Sequence, residues 1–212
     1  MSAAVLQPHQ KVSKPQGPVV FVIMDGVGVG SADDYDAVNA ARTPTLDGLR
    51  ERGLYRTLYA HGTAVGLPSD ADMGNSEVGH NILGAGRIFD QGAKCVDKAI
   101  ASGDIWNGVW AEASRHVREA GTKLHLLGLL SDGNVHSNMT HLGALIARAH
   151  DDGIADVCLH VLTDGRDVPD LSADTYIDTL EAQLAAVNEA GDRRYRIASG
   201  GGRMVTTMDR YE

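Results

Sequence analysis

The sequence predicts an α/β protein with a mainly parallel sheet, and three observations carry that prediction. Past Gln91 the chain repeats one pattern three times: a short apolar run, a polar loop, an amphipathic stretch. The apolar runs are strand-sized, and the stretches between them carry apolar residues at helical spacing. A further apolar run near the start, Val19 to Met24, ends at Asp25 and a glycine-rich turn, GVGVG. Strand–loop–helix alternation makes successive strands parallel and gathers their loops at one edge, where open α/β sheets bind ligands.

In order along the chain, residues 1–17 read as a mobile extension, interrupted by Pro8 and Pro15 and lacking a secretory apolar core. Val19 to Met24 reads as a buried strand. Thr43-Pro44 starts a helix, since Thr can cap free amides and Pro suits the first turn; Leu46 and Leu49 give it a buried side and Gly53 can end it. The segment HGTAVGLPSDADMGNSEVGH reads as a loop leading into a helix that begins near Ser76. Helical spacing covers Cys95 to Ala101, then Ile105 to Ala120 with Ile105, Val109, Ala113 and Val117 on one side. Leu124 to Leu130 is a strand entering the loop SDGNVHSN; Leu142, Leu145, Ile146 and Ala149 mark the next helix. Val157 to Leu162 is a strand entering TDGRDVPD, and Ile177, Leu180, Leu184 and Val187 form a helical stripe. Arg196 to Ala198 is a strand running into the loop SGGGR. These changes of pattern place a domain boundary near Asp90 to Gly92, dividing residues 18–90 from 91–212.

Composition narrows the function classes. The 212 residues are 43% hydrophobic and 22% charged, with a formal net charge of -9. That balance opposes a general nucleic-acid or membrane-surface binder, and sparse aromatics offer no stacking platform for bases. A small anion remains compatible, because a few converging Arg forks can hold one locally. No run approaches the roughly 20 apolar residues of a membrane helix. The two cysteines, Cys95 and Cys158, lack CxxC spacing and fit a reducing cytoplasmic setting better than structural zinc or disulfides.

Three loops can carry chemistry, each with a blander alternative. Asp25, directly after an apolar run, suits a hard cation, or it caps a turn. A dinucleotide loop fits less well, since the glycines are spaced GxGxG and the carboxylate would face a pyrophosphate. Ser76, at a loop-to-helix junction, can meet an anion stabilised by free amides and become a nucleophile on a divalent metal. Alternatively it is an N-cap with Glu77 in the first turn. Arg166-Asp167 sets a fork of cationic donors beside a carboxylate, and taken alone it reads as a local ion pair that closes a turn. Asp70 and Asp72 read as loop-ordering carboxylates; His116, His125, His141, His150 and His160 read as structural.

Five blocks then identify the chain by resemblance. HGTAVGLPSDADMGNSEVGHNILGAG (61–86), VIMDGVGVG (22–30), LLSDGNVHS (129–137), LTDGRDVPD (162–170) and SGGGRMVTTMDRYE (199–212) resemble the cofactor-independent phosphoglycerate mutases in order and spacing. The last block is similar to the plant and trypanosomatid style. Asn134 stands where Gly is more usual, and Val205-Thr206 where a pair containing an aromatic is more usual.

The resemblance implies the amino-terminal portion of an alkaline-phosphatase-like domain, followed by an inserted α/β substrate-binding domain with a mainly parallel sheet. It implies interconversion of 3- and 2-phosphoglycerate through phosphoserine at Ser76, without 2,3-bisphosphoglycerate. Asp25 and Ser76 match ligands of a two-metal site that takes manganese (Mn2+), with magnesium, zinc or cobalt in some members. His136, Arg166, Asp167, Arg203 and Arg210 match residues that hold the substrate. The expected protein is a cytoplasmic monomer whose partner is the small-molecule substrate. Family members are longer, and no H-x-x-x-H spacing or Asp-His pair occurs here, so the remaining metal ligands are expected beyond Glu212. An inactive or merely phosphate-binding fragment, or a related phosphatase or phosphopentomutase, is the alternative.

Overall fold

The computed structural model describes residues 7, 8 and 10–207. The chain divides into two compact units, Met1–Thr57 and Leu58–Glu212. In the first, α1 (Ala37–Ala40) and α2 (Pro44–Glu51) are the regular elements. Asp36 caps α1 by accepting the Asn39 amide at 3.0 Å, and Pro44 opens α2 after Thr43, whose side chain makes no capping bond to the backbone.

The predicted strand Val19 to Met24 is not formed: these residues are irregular, and Val20 is 82% exposed. An apolar run supplies β propensity and a face to bury, but a strand also needs a neighbour for its amides and carbonyls. Among the described residues of this unit no neighbouring strand exists.

The second unit begins with a loop containing a 3-10 turn, Gly62–Val65, followed by α3 (Ser76–Ala85) and α4 (Gly92–Ser102). The helix expected over Ile105 to Ala120 is broken. A 3-10 turn spans Asp104–Trp106, Gly108 adopts φ +59°, and α5 runs Val109–Ala120. The break turns Trp110 toward the core and leaves Val109 83% exposed. Trp110 Nε1 donates to Asp152 at 2.8 Å, so the indole gains a polar partner along with its burial.

Strand β1 (Leu124–Leu130) leads through α6 (Met139–Asp151) to β2 (Asp156–Thr163), and β2 leads through α7 (Ala173–Glu189) to β3 (Arg194–Gly202). The sheet order is β1-β2-β3, all parallel, as helical crossovers between strands require. The glycines expected as a loop after the third strand belong to it. Leu159 pairs with Ile197 and His160 with Ser199, so Ala198 is the extra residue of a bulge and pairing continues to Gly202. The four-residue α8 (Arg203–Thr206) follows at once.

Ile146 and Ala149 of α6, Leu180 and Leu184 of α7, Val157, Leu159 and Val161 of β2, and Tyr195 of β3 form one buried cluster. Each large aliphatic side chain there contributes about 1.5–3 kcal/mol by leaving water. Tyr195 OH donates to the Ile154 carbonyl at 2.8 Å, which satisfies the polar end of a side chain only 2% exposed. This core fixes the strand ends from which the polar loops emerge.

Candidate functional site

The loops after β1 and β2 and the start of α8 meet at the carboxyl edge of the sheet. Their organiser is Asp164, the first residue after β2, with a fully buried carboxylate. Its Oδ1 accepts the amides of Arg166 (3.1 Å) and Asp167 (3.2 Å) and the Arg203 guanidinium (2.7 Å). Burial raises the Asp164 pKa, but hydrogen bonds from Ser131, Arg203 and the two amides outweigh it, leaving the group below its ordinary value. One carboxylate thus ties together segments following all three strands.

Arg203 also donates to Asp167 Oδ2 at 2.6 Å. Its own burial favours the neutral form, yet the carboxylates of Asp167 and Asp164 raise its pKa, so it stays charged. Asp167 thus has a charged partner from the far side of α7, beyond the local turn. Arg166 is exposed at the loop surface, its backbone anchored by Asp164. Gly133 is pressed against this loop: a Cβ there would lie 2.8 Å from the Asp167 carbonyl oxygen. His136 is exposed, and with Leu129, Leu162, Arg203 and Thr207 it lines a cleft of about 290 Å³. Asp132 accepts Tyr176 OH at 2.7 Å, a bond that with burial pushes the Tyr176 pKa up to about 12 and ties the β1 loop to α7.

Ser76 is the first residue of α3 and is exposed. The cap is its neighbour: Asn75 Oδ1 accepts the Val78 amide at 2.9 Å. The Ser76 hydroxyl is thus released from capping while sitting at the positive end of a ten-residue helix. His80 Nδ1 lies 2.7 Å from the Ser76 carbonyl oxygen and 3.3 Å from its Oγ. A carbonyl only accepts, so Nδ1 carries its proton and cannot take one from the hydroxyl. His80 is therefore not placed to act as the general base through that nitrogen.

The loop before Ser76 is held by its own carboxylates. Asp70 Oδ1 accepts the Thr63 hydroxyl and, at 3.0 Å, the Thr63 amide, and the hydroxyl first, then the amide, lower its pKa. Asp72 Oδ2 accepts the Ser69 amide and hydroxyl at 2.6 and 2.8 Å, and Oδ1 accepts Asn134 Nδ2 at 2.6 Å. Burial raises the Asp72 pKa; the donors Asn134 and Ser69 more than offset it, and the net shift is downward. At Gly74 a Cβ would lie 1.8 Å from the Ala60 carbonyl oxygen, so this approach admits no side chain.

Asp25 lies in the first unit, exposed at the turn after the apolar run, with Oδ1 accepting the Gly26 amide at 3.0 Å. Arg210 lies outside the described residues. The structure thus gathers His136, Asp167 and Arg203 with the Arg166 backbone, and links the Ser76 loop to that edge through Asp72. Sequence reasoning missed Asp164. The available signal was its place, a carboxylate directly after an apolar strand and before Gly165, the same pattern noticed at Asp25.

The Asp25 carboxylate and the Ser76 hydroxyl, each taken in its own unit, are hard oxygen groups of the type that manganese or magnesium accepts. Among the described residues no group of three or more His, Cys, Asp or Glu side chains gathers as a metal cluster; each of these oxygens fits a hard cation in kind, and neither alone makes a coordination shell. No helix among the described residues is long and apolar enough to cross a membrane.

The chain is similar to known proteins along nearly its whole length. The chain is 49% identical over 215 residues to the 2,3-bisphosphoglycerate-independent phosphoglycerate mutase of Trypanosoma brucei brucei, covering 99% of this chain and 38% of that protein. It is 50% identical over 209 residues to the Zea mays enzyme of the same name, covering 98% of this chain and 37% of that one. A crystal structure of Leishmania mexicana phosphoglycerate mutase at low cobalt concentration superposes with a TM-score of 0.77 at 52% identity, over 90% of this chain and 35% of that one. The chain therefore spans under two-fifths of the length of these relatives. The family model described as BPG-independent PGAM N-terminus matches residues 96–212, and on that match and these identities the chain belongs to the family of 2,3-bisphosphoglycerate-independent phosphoglycerate mutases.

Proposed function

We propose that these residues serve a mutase that interconverts 3-phosphoglycerate and 2-phosphoglycerate in glycolysis and gluconeogenesis, with Ser76 as the phosphoryl acceptor. The observation that carries this reading is the conjunction at the sheet edge: a buried Arg203 held charged by two carboxylates, beside His136 and the Arg166 loop. Such a set recognises a small molecule bearing both carboxylate and phosphate, because Arg offers paired donors and stays ionised.

Ser76 then attacks the phosphoryl group of bound 3-phosphoglycerate, displacing the glycerate hydroxyl and leaving phosphoserine. Glycerate, kept in place by Arg166, Asp167, Arg203, Arg210 and His136, then attacks the same phosphorus with its 2-hydroxyl, which breaks the Ser76 Oγ–P bond, returns a proton to the serine oxygen and releases 2-phosphoglycerate. Positioning and charge stabilisation do most of the work in such transfers. Asp25 and Ser76 would hold a divalent ion whose chemistry is to favour the serine alkoxide; on this reading the remaining ligands would come from sequence of the kind the longer relatives carry. On this reading residues 18–90 are part of a phosphatase-like domain and residues 91–212 part of the substrate domain. The setting is cytoplasmic.

The test uses the full-length protein. Brief exposure to 3-phosphoglycerate followed by mass spectrometry should place phosphate on Ser76, and Ser76→Ala should lose at least about a thousandfold in kcat while keeping its fold. Phosphate on another residue, or near-normal turnover of Ser76→Ala, would sink the assignment.

A further inference from the structure

We propose that Asp72, Asn134 and Asn138 form a latch that sets the Ser76 loop against the His136 loop, making Asp72 and Asn134 positioning residues for phosphoryl transfer. The catalytic half of this inference rests on the reading of Ser76 and His136 given above.

The chain of contacts is continuous. Ser69 fixes Asp72 Oδ2, and Asn134 Nδ2 donates to Asp72 Oδ1 across 62 residues of sequence. Asn138 Nδ2 donates to Asn134 Oδ1 at 2.5 Å, and Asn138 Oδ1 accepts the Thr140 amide at 2.7 Å, capping α6. His136 lies between the two asparagines, so the latch brackets the residue expected to meet substrate. The other end lies four positions before Ser76. Asp72 is 8% exposed, which shields its bond to Asn134 from competing water.

The backbone supports the same reading. Asn134 adopts φ +58°, a conformation that Gly takes freely and that Asn tolerates best among side chains. Glycine would satisfy the turn but supply no amide, so the side chain here adds the bridge. Reaction rates depend steeply on the placement of nucleophile and substrate, which gives a loop-to-loop tie catalytic consequence.

The experiment is an exchange of partners in the full-length protein. Asn134→Gly keeps the turn and deletes the bridge. Asn134→Asp sets two carboxylates against each other. Asp72→Asn together with Asn134→Asp reverses donor and acceptor and rebuilds the contact. The amide introduced at position 72 can donate to the carboxylate introduced at position 134, while its oxygen still accepts from Ser69. Hydrogen exchange of amides in 62–75 and 131–138 should accelerate about tenfold or more in each single Asn134 variant and return toward the parent in the swap. Activity should follow the same order: kcat falls about tenfold or more in the single variants with a smaller change in KM, release of inorganic phosphate rises relative to transfer, and the swap recovers most of the loss. Unchanged exchange in Asn134→Gly and Asn134→Asp, or a swap no better than its worse parent, would overturn the latch. The exchange readout does not depend on what Ser76 does. If exchange follows the pattern while phosphate never appears on Ser76, the latch stands and the functional reading fails; loss of exchange coupling with phosphate on Ser76 gives the converse.

Discussion

Two apolar runs of similar composition meet different fates in this molecule. Val157 to Leu162 becomes the centre of a three-stranded sheet, with Val157 fully buried. Val19 to Met24, equally strand-like, stays irregular, with Phe21 and Val22 67% and 70% exposed. The first has β1 and β3 on either side and α6 and α7 covering a face; the second has none of these among the described residues of its unit. A strand is a property of a neighbourhood, and hydrophobicity states only that a segment would gain by finding one.

The largest consequence is in amide protection. In the 212-residue chain, hydrogen exchange at Val157 to Leu159 should be slower than at Val19 to Met24 by a factor on the order of a thousand or more, because opening the core costs much of the global stability while the irregular run has no ladder to open. Equal protection would show that the amino-terminal run finds a partner after all, and the contrast between the two units would dissolve.

That contrast also explains what is legible in the sequence. β1 runs Leu124–Leu130 in sequence and structure alike, and α7 contains the whole predicted stripe, because each pattern is completed by neighbours within the same unit. The helix expected over Ile105 to Ala120 fails for a local reason: left-handed Gly108 breaks it, and the bond from Trp110 to Asp152 decides which side faces inward. β3 outruns its predicted length because glycine signals a loop, whereas here pairing with β2 holds Ser199 to Gly202 in the ladder. At the site, the structure brings three of the seven residues matched by resemblance, His136, Asp167 and Arg203, to one edge. Asp164 and the tie between Asp72 and Asn134 carry no such mark, since a buried hub is defined by convergence of segments distant in sequence.

A second, smaller effect probes the electrostatics of the folded unit. Asp152 accepts Trp110 Nε1 at 2.8 Å and Ser114 Oγ at 2.9 Å, and pairs with Arg148 at 2.8 Å. Burial raises its pKa, but these donors and the Arg148 charge prevail, and the folded value lies below the ordinary one. A depressed carboxylate binds fewer protons folded than unfolded. Its stabilisation is complete above the unfolded pKa of about 3.9 and is lost as pH falls through the folded value. Asp152→Asn should cost about 1–3 kcal/mol at neutral pH, and the penalty should shrink as pH drops below about 4. Urea unfolding at pH 7 and at pH 3 reads both. A penalty that is the same at the two values would remove Asp152 from the acid limb.

The smallest expected effect concerns the exposed run, where the measurement of interest is association. Val20→Ser and Val22→Ser change side chains that are 82% and 70% exposed, so in the 212-residue chain little burial is lost and unfolding of the sheet should move by less than about 0.5 kcal/mol. Unpaired backbone and contiguous apolar side chains are, however, what draws chains together edge to edge. The double variant should therefore sediment as monomer at concentrations where the parent self-associates, with unchanged near-ultraviolet circular dichroism from Trp106 and Trp110. Destabilisation of about 2 kcal/mol or more, the scale of a buried valine, would mean that the run is packed in solution, and that the two apolar segments differ less than their exposures indicate.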